Sequence, residues 1–153
     1  MNDSRPAGRW DTVRADVARL VREVHVLDSR LTADADRAYR DQQKILLAML
    51  DVLDSFDRVF ANIEPRESAA DRQAKIWVGN FRSVRKSLER HLRDLGVVPI
   101  EAPDGRPVAG LHTVVDTRER PDLDDEVILE ELQRGYLWRG QVLRKSHVVA
   151  VKN

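Results

Sequence analysis

The sequence predicts an α+β protein with a long N-terminal coiled-coil helix, a helical-bundle dimerisation region and a small C-terminal all-β domain. Three observations predict it. Apolar residues recur at alternating gaps of three and four from Trp10 to Leu31, which is a heptad seam. Over residues 45–60 the apolar stripe broadens, and a second helical pattern follows that stops at Gly96. From Val97 the period changes to two and turn residues multiply, as strands and hairpins require.

Composition limits the function classes. The 153 residues carry 34% charged and only 5% aromatic residues, too polar for a compact α/β enzyme and suited to helices with solvated faces. The 26 basic and 26 acidic residues balance to a net charge of zero, so no global nucleic-acid footprint is expected. There is no cysteine, which removes disulfides, thiolate zinc sites and thiol nucleophiles. No apolar run reaches the ~18 residues of a membrane span and the start lacks a signal-peptide core. The expectation is a soluble, cytoplasmic protein.

Residues 1–8 are polar, with a proline and a glycine, and read as a flexible tail. A long helix is expected over 9–63, with its coiled-coil part at 10–31. Its seam is Trp10, Val13, Val17, Leu20, Val24, Leu27 and Leu31. Branched residues at one core position and Leu at the other favour a parallel two-stranded coil. The flanking charges leave the direction open: Glu23 would face Asp28 of a parallel partner, whereas an antiparallel one would bring it towards Arg30. The seam weakens through Asp34, Ala35, Ala38 and Gln42. The bundle part, 45–60, then presents Ile45, Leu46, Met49, Val52, Leu53, Phe56, Val59 and Phe60, a face wide enough for a bundle core. The predicted dimerisation residues are Val17, Leu20, Val24, Leu27, Leu31, Leu46, Met49, Leu53 and Phe56. Pro65 disfavours helical geometry in the residue before it and is expected to end the helix near Ile63.

A second bundle helix is expected over 68–95. Ser68 with Asp71 resembles a capping box. Trp77, Phe81, Val84, Leu88, Leu92 and Leu95 form its packing row, and Gly96 is a plausible stop. Arg82, Arg85, Lys86, Arg90 and Arg93 line another face. That run could meet an acidic partner or nucleic acid, but a solvated face with pairs such as Glu89–Arg93 is the better explanation.

Residues 97–153 read as the β-domain, with strands expected at 97–100, 111–115, 126–134, 136–138, 141–144 and 148–151. Arg139-Gly140 can close a hairpin. About 55 residues is marginal for an independent core, so this unit should pack on its neighbours. The acidic stretch Glu119, Asp122, Asp124, Asp125 and Glu126 matches no calcium-loop spacing and reads as a solvated turn.

No catalytic or metal-ligating constellation is legible. The four histidines, His25, His91, His112 and His147, have no partner at ligand spacing, and no phosphate-binding glycine loop or nucleophile elbow occurs. No enzyme activity, metal or cofactor is expected.

Three stretches resemble the GrpE nucleotide exchange factors. Leu46 to Arg58 looks like that family's leucine-rich segment, with Leu53-Asp54-Ser55-Phe56-Asp57-Arg58 matching its closing run. Leu95-Gly96-Val97 sits where its helix passes into the sheet. Gly135, Tyr136, Gly140, Leu143, Arg144, Ser146 and Val148 match its C-terminal signature. The resemblance covers roughly residues 40–151, and the last motif is the specific one. The sequence departs from the pattern at Asp51, where a proline is common, at Val108-Ala109-Gly110-Leu111, where an Asp-Pro is usual, at Gln141, where a cation is frequent, and at Ala150.

The resemblance implies a parallel homodimer whose long helices pair, whose shorter helices form a four-helix bundle, and whose β-domains bind the nucleotide-binding domain of a DnaK-type heat-shock chaperone to release ADP. On that reading Leu132 is an apolar anchor, Arg134, Arg139 and Gln141 are polar contacts, Tyr136 and Trp138 are anchors or core, and Gly135 and Gly140 are structural turn residues. The alternative is a GrpE-like dimeric scaffold with an altered partner.

Overall fold

The computed structural model describes residues 7–67 and 70–153. Two helices, α1 (Ala7–Glu67) and α2 (Arg72–Asp94), precede six strands: β1 (Val97–Pro99), β2 (His112–Arg118), β3 (Ile128–Gln133), β4 (Tyr136–Trp138), β5 (Gln141–Arg144) and β6 (Ser146–Val151). This is the expected α+β order. The chain divides into two units between Gln42 and Gln43, where the apolar seam is weakest.

The helix limits differ from those predicted. Most of the expected tail, residues 1–6, lies outside the described residues, but Ala7 and Gly8 already belong to α1. Pro65 lies inside α1, which runs on to Glu67. The proline ring removes the hydrogen bond to the Ala61 carbonyl and crowds that carbonyl, but so close to the end the disturbance is confined to the last turn. Across from it, Arg82 Nη1 and Nη2 each hold a Glu67 carboxylate oxygen at 2.6 Å, which pins the last turn. The capping box proposed at Ser68 falls on a residue outside the described set. Asp71 is the N-cap, and its carboxylate accepts from the Ala74 N–H at 2.7 Å, satisfying one donor of the first turn.

In the first unit the seam is bare. Val17, Leu20, Val24, Leu27 and Leu31 are each at least 54% exposed. Local pairs such as Arg19–Asp16 at 2.9 Å decorate other positions.

In the second unit α2 runs back along α1, joined by Glu67–Arg82 and by Arg85, whose Nε donates to Asp57 Oδ1 at 2.7 Å. The broad apolar face expected over 45–60 resolves into two rows. Leu46, Leu50 and Leu53 are buried; Leu50, absent from the predicted face, is covered completely. Ile45, Val52 and Val59 stay exposed, and Met49 and Phe56 are half-buried. The second helix shows the same division. Its inner row is Val78, Arg85 and Leu92, whereas Trp77, Phe81, Val84 and Leu95 of the predicted packing row are exposed. One helix thus serves two interfaces, and a single stripe of apolar letters does not separate them.

The strands form two three-stranded sheets, ordered β1-β4-β5 and β2-β6-β3. The second is mixed: β6 is parallel to β2 and antiparallel to β3. As the central strand, β6 buries Val148, Val149, Ala150 and Val151 in succession, which is why it reads as a continuous apolar run.

The chain crosses between the sheets three times, after β1, at Arg134-Gly135 and at Lys145-Ser146, and the last two crossings touch. The Gly135 N–H donates to Ser146 Oγ at 2.9 Å, and Ser146 is fully buried. A Cβ on Gly135 would stand 2.3 Å from the Ser146 backbone nitrogen. Gly135 is therefore required by close approach and not, as its predicted turn role implied, by a left-handed backbone.

Candidate functional site

The β4–β5 hairpin forms as the residues require. Arg139 and Gly140 have φ of 52° and 78°, the left-handed pair of a two-residue turn, and Trp138 faces Gln141 across it. The hairpin is docked on the end of α2. Trp138 Nε1–H donates to the Leu95 carbonyl at 3.2 Å, the Arg139 N–H donates to the Gly96 carbonyl at 3.3 Å, and the Arg139 guanidinium lies 4.7 Å from the Trp138 ring centre.

This arrangement sorts the predicted contact residues. Tyr136 and Trp138 share a face, and it is the inner one: they are 6% and 3% exposed. Burial holds the Tyr136 phenol above its usual range. Both therefore belong to the core and are not surface anchors, because the face that β4 turns inward covers Leu53 and the end of α2. Arg139 and Gln141 are exposed at the hairpin tip, and Leu132 and Arg134 are exposed on and after β3. Leu132 and Gln141 belong to different sheets, and Arg134 and Arg139 lie in the connections beside them. Leu132 and Arg134 line an open groove whose other wall is α1, with Asp51, Asp57 and Arg58.

One cluster was not legible. Asp54 on α1 is the acceptor for three donors of the β region. Arg144 Nη1 donates to its Oδ2 at 2.7 Å and Arg144 Nη2 to its Oδ1 at 2.8 Å, a two-pronged pair. Gln133 Nε2 donates to Oδ2 at 2.8 Å. Arg144 also holds the Arg134 carbonyl, with Nε at 3.2 Å and Nη2 at 2.8 Å, has Asp51 Oδ1 3.5 Å from Nη1, and lies 5.8 Å from the Tyr136 ring centre. Its side chain is 13% exposed, and that of Asp54 22%. Both residues stand in the quoted motifs, but 90 positions apart in the chain, so no local pattern reveals their pairing.

The other polar candidates have structural partners. Of the basic run on α2, Arg82 and Arg85 are neutralised by Glu67 and Asp57 of α1. Glu89 pairs with Arg85 at 2.9 Å, the i,i+4 neighbour on the opposite side from the expected Arg93. The Arg82 hydrogen bond holds the Glu67 carboxyl below the usual carboxylate range. In the acidic stretch Arg120 grips Asp122 through two hydrogen bonds, and Asp125 accepts from the Asn153 N–H at 2.7 Å. His112 Nδ1 accepts from the Val108 N–H at 3.0 Å. Among the described residues no group of three or more potential ligands could hold a metal ion, and no helix is long and apolar enough to cross a membrane.

The fold and these surfaces define a class: a helical protein with bare heptad faces that holds a small two-sheet β unit, through side-chain clasps, against its helices. The chain belongs to the GrpE family, whose model matches residues 9–152. It is 34% identical over 114 residues to Protein GrpE of Chlorobium luteolum, covering 74% of this chain and 57% of that protein. Over 158 residues it is 34% identical to Protein GrpE of Synechococcus elongatus, covering 93% and 74% respectively. The protein of the same name from Bacillus pumilus is 32% identical over 120 residues, covering 78% of this chain and 62% of its own length. The chain thus spans between about half and three quarters of the length of these relatives.

Proposed function

We propose that the protein is an adenine-nucleotide exchange factor that works as a homodimer on the nucleotide-binding domain of a DnaK-type chaperone in the cytoplasm. The observation that carries this reading is the family match across residues 9–152. The bare heptad rows support the dimer. Val17, Leu20, Val24, Leu27 and Leu31 offer one seam, and Ile45, Val52 and Val59 with Trp77, Phe81 and Val84 offer a second, wider face. Each of these residues is roughly half exposed, so covering it contributes about 1 kcal/mol, enough in sum to hold two copies together. Leu46 and Leu53 are already buried within one chain, and in this reading they support the dimer face from beneath.

The β unit is the partner-facing part, with Leu132 and Arg134 beside the groove and Arg139 and Gln141 at the hairpin. The mechanism is differential binding. The factor binds the open, nucleotide-free chaperone better than the closed ADP form, and so draws the population towards the open form. By linkage, ADP weakens the complex by the same factor. No bond is made or broken by the factor.

The test is release of a fluorescent ADP analogue from the chaperone of the same cell. Micromolar protein should accelerate it, and Leu132→Asp should reduce the acceleration. No acceleration by the native protein would refute the proposal. Gln141 at the hairpin tip favours one second reading, a dimeric scaffold of this family with an altered partner. Capture of a different, identified protein, with the chaperone neither bound nor affected, would support that reading.

A further inference from the structure

We propose that Asp54 is a positioning residue: its carboxylate, clamped by Arg144 and Gln133, latches the β unit to α1 and sets the stiffness with which that unit transmits force. This rests on the exchange-factor reading for its consequence, but not for its geometry.

The β unit meets the helices through the inward face of β4, which covers Leu53 and the end of α2, and through two polar attachments. One is the continuous chain from α2 into β1, reinforced by the hydrogen bonds from Trp138 to Leu95 and from Arg139 to Gly96. These contacts hold the unit close to the helices but lack the directional fork of a two-pronged ion pair. The second is the Asp54 cluster. There a planar fork meets a planar carboxylate through two hydrogen bonds of 2.7 and 2.8 Å, a geometry that fixes orientation as well as distance. The same guanidinium holds the Arg134 carbonyl, one residue before the Gly135 crossing. Gln133, at the end of β3, adds a further donor to Asp54 Oδ2, the oxygen that Arg144 Nη1 also holds. One carboxylate thus gathers the end of β3, the crossing and β5 onto one turn of α1. Low exposure of both partners protects the pair from screening.

A lever that pushes on a partner must not yield at its base. In Asp54→Asn the amide keeps the size and one acceptor but loses the charge and half of the fork. The β unit then swings, and binding energy is spent on reorienting it and not on opening the partner.

The absence of native cysteine permits a direct measurement. Spin labels at Ala48→Cys on α1 and Thr117→Cys on β2, both exposed positions, report the distance between helix and β unit. Labelled protein is diluted into unlabelled protein so that only distances within one chain contribute. We expect the distance distribution to broaden in Asp54→Asn and in Arg144→Lys, which keeps the charge but not the fork, with far-UV helix content unchanged. In the exchange assay the maximal acceleration should fall about tenfold, while the half-saturating concentration changes less. Asp54→Glu should restore part of both. Unchanged distance widths in Asp54→Asn and Arg144→Lys would overturn the latch whatever the protein binds. Broadened distances with undiminished maximal exchange would overturn its role in force transmission. If the native protein released no ADP, the exchange-factor reading would fall, and the distance measurement would still decide the latch.

Discussion

Gly135→Ala should be among the most damaging single-methyl additions in this protein. The added Cβ would lie 2.3 Å from Ser146 N, 2.5 Å from Ser146 Oγ and 2.8 Å from Lys145 C. The hydroxyl can rotate away, but the two backbone atoms cannot. Both crossings are also pinned from outside: the Ile100 N–H donates to the Gly135 carbonyl at 2.9 Å, and the Ser146 N–H to the Leu111 carbonyl at 3.0 Å. Making room requires a shift of about 1 Å in one crossing. Overpacking of this kind costs about 1–3 kcal/mol, and losing the buried Gly135–Ser146 hydrogen bond adds about 1–3 kcal/mol. A total near 3–5 kcal/mol is a large share of a typical stability of about 5–15 kcal/mol. Urea unfolding, followed by circular dichroism at one fixed protein concentration because a dimer's stability depends on it, should show the midpoint falling by about 2 M for a slope of about 2 kcal/mol/M. Gly140→Ala is the control. Its φ is 78° but no atom lies within 4 Å of the added methyl, so only the left-handed strain of about 1–2 kcal/mol applies. A Gly135→Ala midpoint within about 0.3 M of the native one, or a larger loss at Gly140, would refute the close-approach argument.

Leu50→Ala removes a fully buried side chain and should cost about 2–5 kcal/mol, whereas Ile45→Ala at its exposed neighbour should cost little in a chain kept monomeric by dilution; equal losses there would contradict the two-row reading. The Glu67 carboxyl, held low by Arg82, should titrate below the usual glutamate range in a pH-dependent NMR series and return to it in Arg82→Ala. Because its folded value is depressed, its stabilising contribution is present above the ordinary range and disappears as pH falls through the folded value. Amide hydrogen exchange on warming should release residues 10–42 before β6, since the seam is short and polar at its centre while β6 is buried at every position but His147; protection lost in the reverse order would overturn this.

Much of the fold was legible because its signals are local. The period-two stretches from Val97, the punctuating Arg139-Gly140 and the Val-rich run at 148–151 placed the strands to within a few residues of where they form. The errors have physical causes. Pro65 does not end α1: the helix runs on to Glu67, whose carboxylate is held by Arg82 of α2, a contact no local pattern reveals. The helix stripes were read as one face each, when Leu46, Leu50 and Leu53 turn inward and Ile45, Val52 and Val59 outward. Of the candidate contacts, alternation correctly grouped Tyr136 with Trp138, but alternation has no inside or outside until a neighbour is present, and the end of α2 turned that face inward.

The sequence by itself determined the helices, the hairpin, the heptad seam and the family, because each rests on short-range spacing or on motifs read along the chain. Only the tertiary structure decided which residues meet. It paired Asp54 with Arg144 across 90 positions and brought Gly135 against Ser146. It also separated Leu132 from Gln141 by placing their strands, β3 and β5, in different sheets. Such pairings depend on how the strands return to the helices, and spacing along a chain does not encode the direction of that return.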